Sequence, residues 1–277
     1  MPPFPPLELE QVETKLFLEG VFRRYGYDFR QYAPASMKRR IHLCLQREEL
    51  KTVSALQDRI LHDPVCLERF LLTVTVNTTG MFRDPRFYIA FREIVTPLLR
   101  QYSGARIWHA GCSTGEEVYS MAILLREEGV YDQCQLYATD LSEAALGRAE
   151  EGVYSLSQMR GYSENYLSAG GKGSLAEYYT AAYGKAILHA TLRRNVVFAQ
   201  HNLTTDGSFN EFQVILCRNV MIYFDQSLQA RVSRLFYDSL FPSGLLALGI
   251  REVLHSAPEG VHFEVLDNAS RIYRKVG

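Results

Sequence analysis

The sequence lacks the features that mark several protein classes. Its five cysteines are scattered, odd in number and form no Cys-x-x-Cys pair. This argues against a disulfide scaffold or a zinc site and for reduced thiols in a cytosolic chain. The N-terminus has no basic start followed by an apolar run, so we expect no signal peptide. The longest apolar tract, near residues 70–76, is too short and too rich in threonine to span a bilayer.

Neither sign of charge dominates the chain. It carries 30 Lys and Arg against 31 Asp and Glu, a net charge of −1, so overall charge favours neither nucleic acid nor a membrane surface as a partner. Residues 23–51, however, hold eight basic residues and three acidic ones. This stretch is either a solvated helix face or a docking surface for an acidic protein. Nucleic acid is less favoured because few aromatics interleave with the charges.

The spacing of apolar residues predicts helices over residues 1–75. Residues 9–24 form one candidate, Ser36 is a plausible N-cap for a second that runs to about residue 50, and Thr52 opens a third. Residues 76–104 read as a linker and a further helix. There, Asp84 is a candidate N-cap and Pro85 occupies the first turn.

From residue 105 the pattern changes to alternating strands and helices, which predicts a mostly parallel sheet with helices on both faces. A short connection between the last two strands predicts an antiparallel hairpin. Residues 154–195 interrupt the alternation and are interpreted as a small inserted subdomain. The predicted strands are Ala105–His109, Gln135–Thr139, Val196–Ala199, Phe212–Cys217, Leu245–Gly249, Phe263–Leu266 and Arg271–Arg274.

The most informative stretch is a glycine turn between the first of these strands and a helix. Gly111 and Gly115 bound the turn, and Asp140 ends the next strand. A glycine turn lets a ligand approach backbone N–H groups at a helix start, and an acid at the next strand tip can accept hydrogen bonds from a ribose. The pair therefore predicts a nucleoside-containing cofactor.

Two other interpretations of this turn remain. Gly111–Gly115 also fits the G-x-S-x-G elbow of serine hydrolases, with Ser113 as nucleophile. That alternative needs a later Asp and then a His, and Asp206 or Asp225 with His255 or His262 supplies the order. The turn could also be merely structural. The hydrolase hypothesis leaves Asp140 unexplained.

Further polar residues follow predicted strands. His201-Asn202 and Arg218-Asn219 stand at strand ends, where side chains face the ligand crevice of open α/β sheets. Residues 75–84 place several hydrogen-bonding side chains around Arg83. Each of these segments also has a simpler interpretation as a surface loop or a capped loop. Tyr223-Phe224 follows four residues after Arg218-Asn219 and is open to interpretation as a pair of core aromatics.

Taken together, four blocks of this sequence resemble the signature blocks of CheR-type chemoreceptor glutamate methyltransferases, in the same order and along nearly the whole chain. The blocks are Asn77-x-Thr79-x-x-Phe82-Arg83-Asp84, Ala110-Gly-Cys-Ser-Thr-Gly-Glu-Glu117, Asn202-Leu203 and Cys217-Arg-Asn-Val-Met-Ile-Tyr-Phe-Asp225.

The resemblance implies an α/β fold: a class I S-adenosylmethionine methyltransferase-like, Rossmann-like sheet, with a small all-α N-terminal domain and an inserted β-subdomain. It implies domains at 1–75, for receptor docking, and at 105–277, for catalysis. It implies S-adenosylmethionine as methyl donor and S-adenosylhomocysteine as product. The implied substrate is glutamate in the cytoplasmic domain of chemoreceptors, which would place the enzyme in the cytoplasm at receptor arrays. A regulatory adaptor is left open as a second partner, as is a catalytically weak regulatory module of the same fold.

Site residues are carried over from the family by position. Asp140 would hold the ribose and Glu117 would help to place the methionine end of the cofactor. Arg83 and Tyr223 would lie nearest the reacting groups. Basic residues of the second helix would dock onto the receptor. The implied cofactor residues are Asn77, Thr79, Arg83, Gly111, Glu117, Asp140, Asn202, Leu203, Arg218 and Asn219, and the implied docking residues are Lys38, Arg39 and Arg40.

The implied chemistry requires little of the protein. A free glutamate has a pKa of about 4.3 and is already ionised near neutral pH, so the resemblance implies neither a general base nor a metal. Alignment and removal of water would be the enzyme's tasks. The chain departs from the family at Gly80-Met81, where an aromatic usually precedes Phe82, and at Ile250-Arg251, where His-Ser is usual. These departures bear on the shape of the substrate cleft.

Overall fold

A computed structural model describes residues 6–75, 79–254 and 260–277. The helices are α1 (Pro6–Tyr25), α2 (Pro34–Arg47), α3 (Val53–His62), α4 (Pro64–Val74), α5 (Pro85–Ala90), α6 (Thr96–Leu99), α7 (Glu116–Glu127), α8 (Glu143–Glu151), α9 (Leu156–Ser168) and α10 (Gln226–Ser239). The strands are β1 (Ala105–Ala110), β2 (Cys134–Asp140), β3 (Val153–Ser155), β4 (Tyr179–Ala182), β5 (Lys185–Leu188), β6 (Val196–Gln200), β7 (Phe212–Cys217), β8 (Leu240–Leu248), β9 (Phe263–Asp267) and β10 (Ile272–Lys275).

The first four helices share one apolar core, in which Phe17, Phe29 and Phe70 pack edge to face. Thr52 caps α3 as predicted, since its side chain accepts a hydrogen bond from the Ala55 amide. The predicted cap of α2 is wrong. The helix begins at Pro34, two residues before Ser36, because proline at the first helical position has no N–H left unsatisfied and a preset φ.

The helix over residues 85–99 is interrupted in its middle. Residues 91–95 form a π turn between α5 and α6, in which the Thr96 amide donates to the Phe91 carbonyl. Pro97 lies just beyond it, and a proline inside a helix has no N–H and crowds the carbonyl four residues earlier. The wider turn accommodates that ring. Asp84 precedes the helix as predicted, but its side chain makes no capping hydrogen bond.

The central sheet has seven strands in the order β6-β2-β1-β7-β8-β10-β9. Strands β6, β2, β1, β7 and β8 run parallel, and β10 pairs antiparallel with both of its neighbours. All six residues of β7 are buried, as expected for a strand covered on both faces. The predicted parallel sheet and the predicted C-terminal hairpin are both confirmed.

Two apolar clusters cover the two faces of this sheet. One contains side chains of α5 and α7, such as Phe87 and Val118, and the other contains Val232 and Phe236 of α10 against Trp108. The carboxyl ends of β1, β2, β6 and β7 therefore open between two helical layers. In open α/β sheets, ligands bind at that edge.

A second, antiparallel sheet of three strands has the order β3-β5-β4 and is followed on the chain by β6. Helix α9 and this sheet pack into the same apolar cluster as α5 and α7, and a group of charges lies at the edge of that contact. Arg92 donates to Glu127 and, at 2.6 Å, to Glu128, and the Lys172 amide donates to Glu127 at 3.1 Å.

A backbone bridge joins the helical N-terminal region to the main sheet. The Ala33 amide donates to the Tyr223 carbonyl at 2.9 Å, and the Asp225 amide donates to the Gln31 carbonyl at 2.9 Å. This places the start of α2 beside the loop that follows β7.

Candidate functional site

A cleft of about 950 Å³, counted out to its open mouth, lies at the carboxyl edge of the sheet. The structure brings together most of the residues predicted for the site, although they come from five separate stretches of sequence. Those lining the cleft are Thr79, Arg83, Gly111, Glu117, Asp140, Asn202, Leu203, Arg218, Asn219 and Tyr223. Asn77 lies outside the described residues.

The glycine turn after β1 allows the backbone at Gly111 to lie very close to Val220. Gly111 has φ +83°, and a Cβ there would lie 2.5 Å from Val220 Cγ2, so only glycine fits. The expectation that its amides face a ligand is wrong for the first three residues. The Gly111 and Cys112 amides both donate to the Thr139 carbonyl, and the Ser113 amide donates to Asp140. These bonds lock the turn onto the tip of β2.

Asp140 is held in place by two backbone amides. Its Oδ2 accepts from the Ser113 amide at 2.8 Å, and its Oδ1 accepts from the Ser142 amide at 2.9 Å. Burial raises the pKa of Asp140, and these hydrogen bonds oppose that shift only in part. The carboxylate has about four acceptor positions, so two hydrogen bonds leave capacity for a ligand.

Glu117 anchors a charge network on the cleft wall. His109 Nδ1 lies 3.0 Å from Glu117 Oε1, and Arg218 Nη1 donates to Glu117 Oε2 at 3.0 Å. Burial alone would raise the pKa of Glu117, but the His109 hydrogen bond and the Arg218 charge hold it below its ordinary value. The sequence places His109 at the end of the first predicted strand, and its contact with Glu117 appears only in the folded chain.

Arg218 joins three segments of the chain. Besides Glu117, its Nη2 donates to Asp84 Oδ2 at 2.9 Å and to the Arg83 carbonyl at 3.1 Å. Its guanidinium also lies over the Phe87 ring, 4.1 Å from the centroid. Asp84 therefore serves Arg218 rather than the helix start where the sequence placed it. This arrangement fixes the backbone of Arg83 beside the cleft.

Several residues near the cleft have left-handed backbone conformations. Phe82, Asp84, Ser113 and Asn219 have φ between +52° and +63° although none is glycine. Such conformations cost about 1–3 kcal/mol each and persist only where surrounding contacts enforce them. Their concentration in the segments that line the cleft marks it as the functional region of the fold.

Glu252 supplies the contacts that hold Asn219. Its Oε2 accepts from the Asn219 amide at 2.9 Å and from the Gly249 amide at 2.6 Å, and its Oε1 accepts from the Ile222 amide at 3.3 Å. Burial raises the pKa of Glu252, with these amides opposing the shift. No local sequence pattern predicts this role of Glu252, which arises because the loops after β7 and β8 meet.

The turn after β6 is capped by its own residues. Asn202 Oδ1 accepts from the Thr204 amide at 3.0 Å, and the Asn202 amide donates to Asp206 Oδ2 at 2.8 Å. These bonds set the turn that places Asn202 and Leu203 in the cleft wall. His201 precedes them and packs its ring against Trp108.

The three predicted docking residues on α2 do not lie together. Lys38 and Arg39 are exposed, and Lys38 Nζ reaches Glu10 of α1 at 3.3 Å. Arg40 is only 1% exposed, and its guanidinium lies over the Tyr223 ring, 4.2 Å from the centroid. Its assignment to the exposed surface is therefore wrong, because Arg40 projects from the helix toward the loop after β7.

The aspartates named for the serine hydrolase alternative have other partners. Asp225 caps α10 by accepting from the Leu228 amide at 2.8 Å, and Asp206 accepts from the Asn202 amide. His255 lies outside the described residues. Within residues 6–75, 79–254 and 260–277 there is no cluster of His, Cys, Asp and Glu that could hold a metal ion. None of the helices described is both long and apolar enough to cross a membrane.

Comparison with known proteins agrees with this geometry. A family model described as the SAM binding domain of CheR methyltransferase matches residues 77–270, and one described as the all-alpha domain of CheR methyltransferase matches residues 13–75. The first of these covers more than half of the chain, including β1 through β9 and the segments that line most of the cleft.

Three relatives illustrate the similarity. A protein named Cher3 from Pseudomonas putida is 50% identical over 95% of this chain and 97% of its own length. A chemotaxis protein methyltransferase from Listeria monocytogenes is 32% identical over 88% of this chain and 92% of its own. Chemotaxis protein methyltransferase 2 from Pseudomonas aeruginosa is 34% identical over 75% of this chain and 70% of its own. The chain belongs to the CheR methyltransferase family of chemotaxis methyltransferases, and S-adenosylmethionine is its cofactor.

Proposed function

We propose that the protein methylates glutamate side chains in the cytoplasmic domains of chemoreceptors, forming methyl esters for sensory adaptation. One observation carries the proposal most directly. Arg83 and Tyr223, far apart in sequence, line the same cleft as the strand-tip acid Asp140 and the network acid Glu117. A cation and an aromatic wall are suited to receive a carboxylate, while the acids are suited to a cofactor that carries hydroxyl and ammonium groups.

The cleft suits S-adenosylmethionine. Asp140 retains acceptor capacity for ribose hydroxyls, and Glu117 offers negative charge for the ammonium of the methionine end. Gly111 lets the turn after β1 pack directly against Val220 in the cleft wall, where a larger residue would collide. The other proposed cofactor residues that the structure describes line the wall as well: Thr79, Arg83, Asn202, Leu203, Arg218 and Asn219. Asn77 is proposed from the sequence alone.

When bound, S-adenosylmethionine supplies an electrophilic sulfonium methyl, which a carboxylate oxygen accepts by in-line displacement to give a methyl ester and S-adenosylhomocysteine. The protein's residues orient the acceptor and exclude water. Arg83 steers the carboxylate, but it must not bind the ground state too strongly, since uniform binding does not speed the step. Tyr223 walls the path of approach. Good alignment of this kind supplies up to about 7–11 kcal/mol.

The exposed part of α2 is the proposed receptor-docking surface. Lys38 and Arg39 stand beside an open groove that also includes His42 and Leu43. Positive charge with an apolar residue beside it suits an acidic amphipathic helix. In this proposal residues 1–75 dock the receptor, 76–104 link to the cofactor site, and 105–277 catalyse transfer with residues 154–195 inserted.

The test is methyl transfer from labelled S-adenosylmethionine to a purified receptor cytoplasmic fragment. We expect base-labile label, and mass spectrometry should place it on glutamate. Arg83→Met should lower the rate at least tenfold, as loss of a positioning contact does. Arg86→Met is the matched control, because Arg86 is exposed in the same helix region but does not line the cleft. If the protein binds the cofactor normally but no glutamate is labelled, the proposed activity is wrong and the alternative of a regulatory module without turnover is favoured.

A further inference from the structure

The most unusual basic residue outside the charge network is Arg40 of α2. Its side chain is almost fully buried, with 1% exposure. The Nε group donates to Ser36 Oγ at 3.2 Å, while Nη1 and Nη2 have no hydrogen-bond partner among the residues that the structure describes. Burial lowers the pKa of Arg40, and the neighbouring Tyr223 opposes that shift. An interior cation with two unsatisfied nitrogens is costly, so its retention calls for a reason.

The Arg40 guanidinium lies against the face of Tyr223, and Tyr32 is a second aromatic neighbour. The Arg40 Cζ lies 4.2 Å from the Tyr223 ring centroid. A cation over an aromatic face is attracted by the ring quadrupole, and the attraction is stronger where water is excluded. This contact constrains the tilt and position of the ring in a way that an apolar neighbour of the same size does not.

The backbone on both sides of Tyr223 is fixed separately. The Tyr223 carbonyl accepts from the Ala33 amide, the Asp225 amide donates to the Gln31 carbonyl, and the Tyr32 and Phe224 rings pack with centroids 5.1 Å apart. These bonds hold the main chain of the loop to the start of α2. They leave the Tyr223 side-chain torsions to be set by the groups that touch the ring, of which Arg40 is one.

We propose that Arg40 is a positioning residue that holds the Tyr223 ring in its working orientation, which makes α2 part of the active site as well as a docking element. The proposal rests on the proposed function in one respect, namely that Tyr223 borders the path of the transferred methyl group. In this role the positive charge of Arg40, and not the volume of its side chain, holds the Tyr223 ring.

This role separates stability from activity. Methionine has a similar length and no charge, and replacing a poorly paired buried cation by an apolar residue is often neutral or stabilising. We therefore expect Arg40→Met to keep or raise the thermal midpoint while it lowers kcat. A purely structural arginine would lower both. Arg40→Lys keeps the charge and should retain more of the activity than Arg40→Met.

The first experiment is a double-mutant cycle in the methyl-transfer assay. Arg40→Met should lower kcat about tenfold, equivalent to about 1.4 kcal/mol, and leave KM and the cofactor Kd unchanged. In a Tyr223→Ala background, the same substitution should lower kcat less than about twofold, because the ring that it positions is gone. If the two fold-changes simply multiply, Arg40 acts independently of Tyr223 and the proposal is overturned.

The second experiment needs no methyl acceptor. Fluorotyrosine placed at position 223 reports its own environment by ¹⁹F NMR. We expect the resonance to move and broaden in Arg40→Met and to return toward the wild-type shift in Arg40→Lys. An unchanged resonance in Arg40→Met overturns the positioning role. If the wild-type protein fails to methylate receptor glutamates, the proposed function fails while this spectroscopic arm still decides the role of Arg40.

Discussion

Replacing Glu117 by glutamine tests the charge network of the cleft most sharply. The substitution keeps the shape of the side chain and removes its charge. Arg218 is the group most affected, since its side chain is 2% exposed and its Nη1 donates to Glu117. The cation retains Asp84 and the Arg83 carbonyl at Nη2. Glu117→Gln therefore weakens the pairing of a buried cation without abolishing it.

The expected loss of stability follows from that geometry. Breaking a buried ion pair outright costs about 3–5 kcal/mol, and a hydrogen bond to a charged group contributes about 1.5–3 kcal/mol. With a neutral hydrogen bond and Asp84 still in place, we expect a decrease of about 2–3 kcal/mol in the free energy of unfolding. For a chain of this size that corresponds to a fall of roughly 4–12 °C in the thermal midpoint.

The neighbouring Glu116 provides a matched control. It is also buried, but its described partners are the neutral hydroxyls of Thr114 and Tyr162. Burial raises the pKa of Glu116, so its charge is a cost to the fold, whereas the pKa of Glu117 is lowered. Glu116→Gln should therefore change the free energy of unfolding by about 1 kcal/mol or less. The assay is thermal and denaturant unfolding of both variants beside the wild type.

The effect of Glu117→Gln should also depend on pH. Because the pKa of Glu117 is lower in the folded protein, the carboxylate stabilises the fold fully above its ordinary value of 4.5 and less as pH falls below it. The difference between wild type and Glu117→Gln should thus shrink on acidification. Two results would refute this account of the network. One is an equal loss of unfolding free energy for Glu117→Gln and Glu116→Gln at pH 7, and the other is a difference between wild type and Glu117→Gln that grows in acid.

Three further predictions concern the cleft and the docking surface. Asp140→Ala should weaken S-adenosylmethionine binding at least tenfold, as measured by calorimetric titration. A tenfold change corresponds to about 1.4 kcal/mol, which is less than two hydrogen bonds between ribose hydroxyls and a carboxylate are expected to contribute. Unchanged affinity would remove Asp140 from the site. Gly111→Ala should cost about 2–4 kcal/mol by denaturant unfolding, through its positive φ and the approach to Val220, and Val220→Ala should restore part of this loss; an undamaged single variant would contradict the close approach. Reversing Lys38 and Arg39 to Glu should reduce methyl transfer to a receptor fragment severalfold, most strongly at low salt, and leave cofactor affinity intact; a normal rate would exclude this face from docking.

The local sequence was sufficient for much of the main sheet. Alternating apolar strands and amphipathic helices gave the parallel sheet and its terminal hairpin, because periodicity is a property of neighbouring residues. It failed at the start of α2, which begins at Pro34 and not behind a Ser36 cap. It also did not delimit α4, whose buried Phe70, Leu71 and Val74 follow a helical spacing.

At the site, the sequence identified residues that stand at strand ends, since a strand end can be recognised without knowing its neighbours. It could not state what each side chain contacts. Asp84 has the position of a helix cap but pairs with Arg218, because a segment more than a hundred residues later brings a cation to it. The amides of the glycine turn, expected to face a ligand, are used by Thr139 and Asp140.

The order of apolar and polar residues, the glycine turn and the four signature blocks by themselves determined the family, its cofactor and the general place of the site. Only the tertiary structure decided that Arg40 turns inward onto Tyr223, that Glu252 binds the amides of two loops, and that His109 and Arg218 share Glu117. The physical reason is that the pairing and burial of a side chain depend on which distant segments pack together. Local sequence patterns contain no information about those contacts.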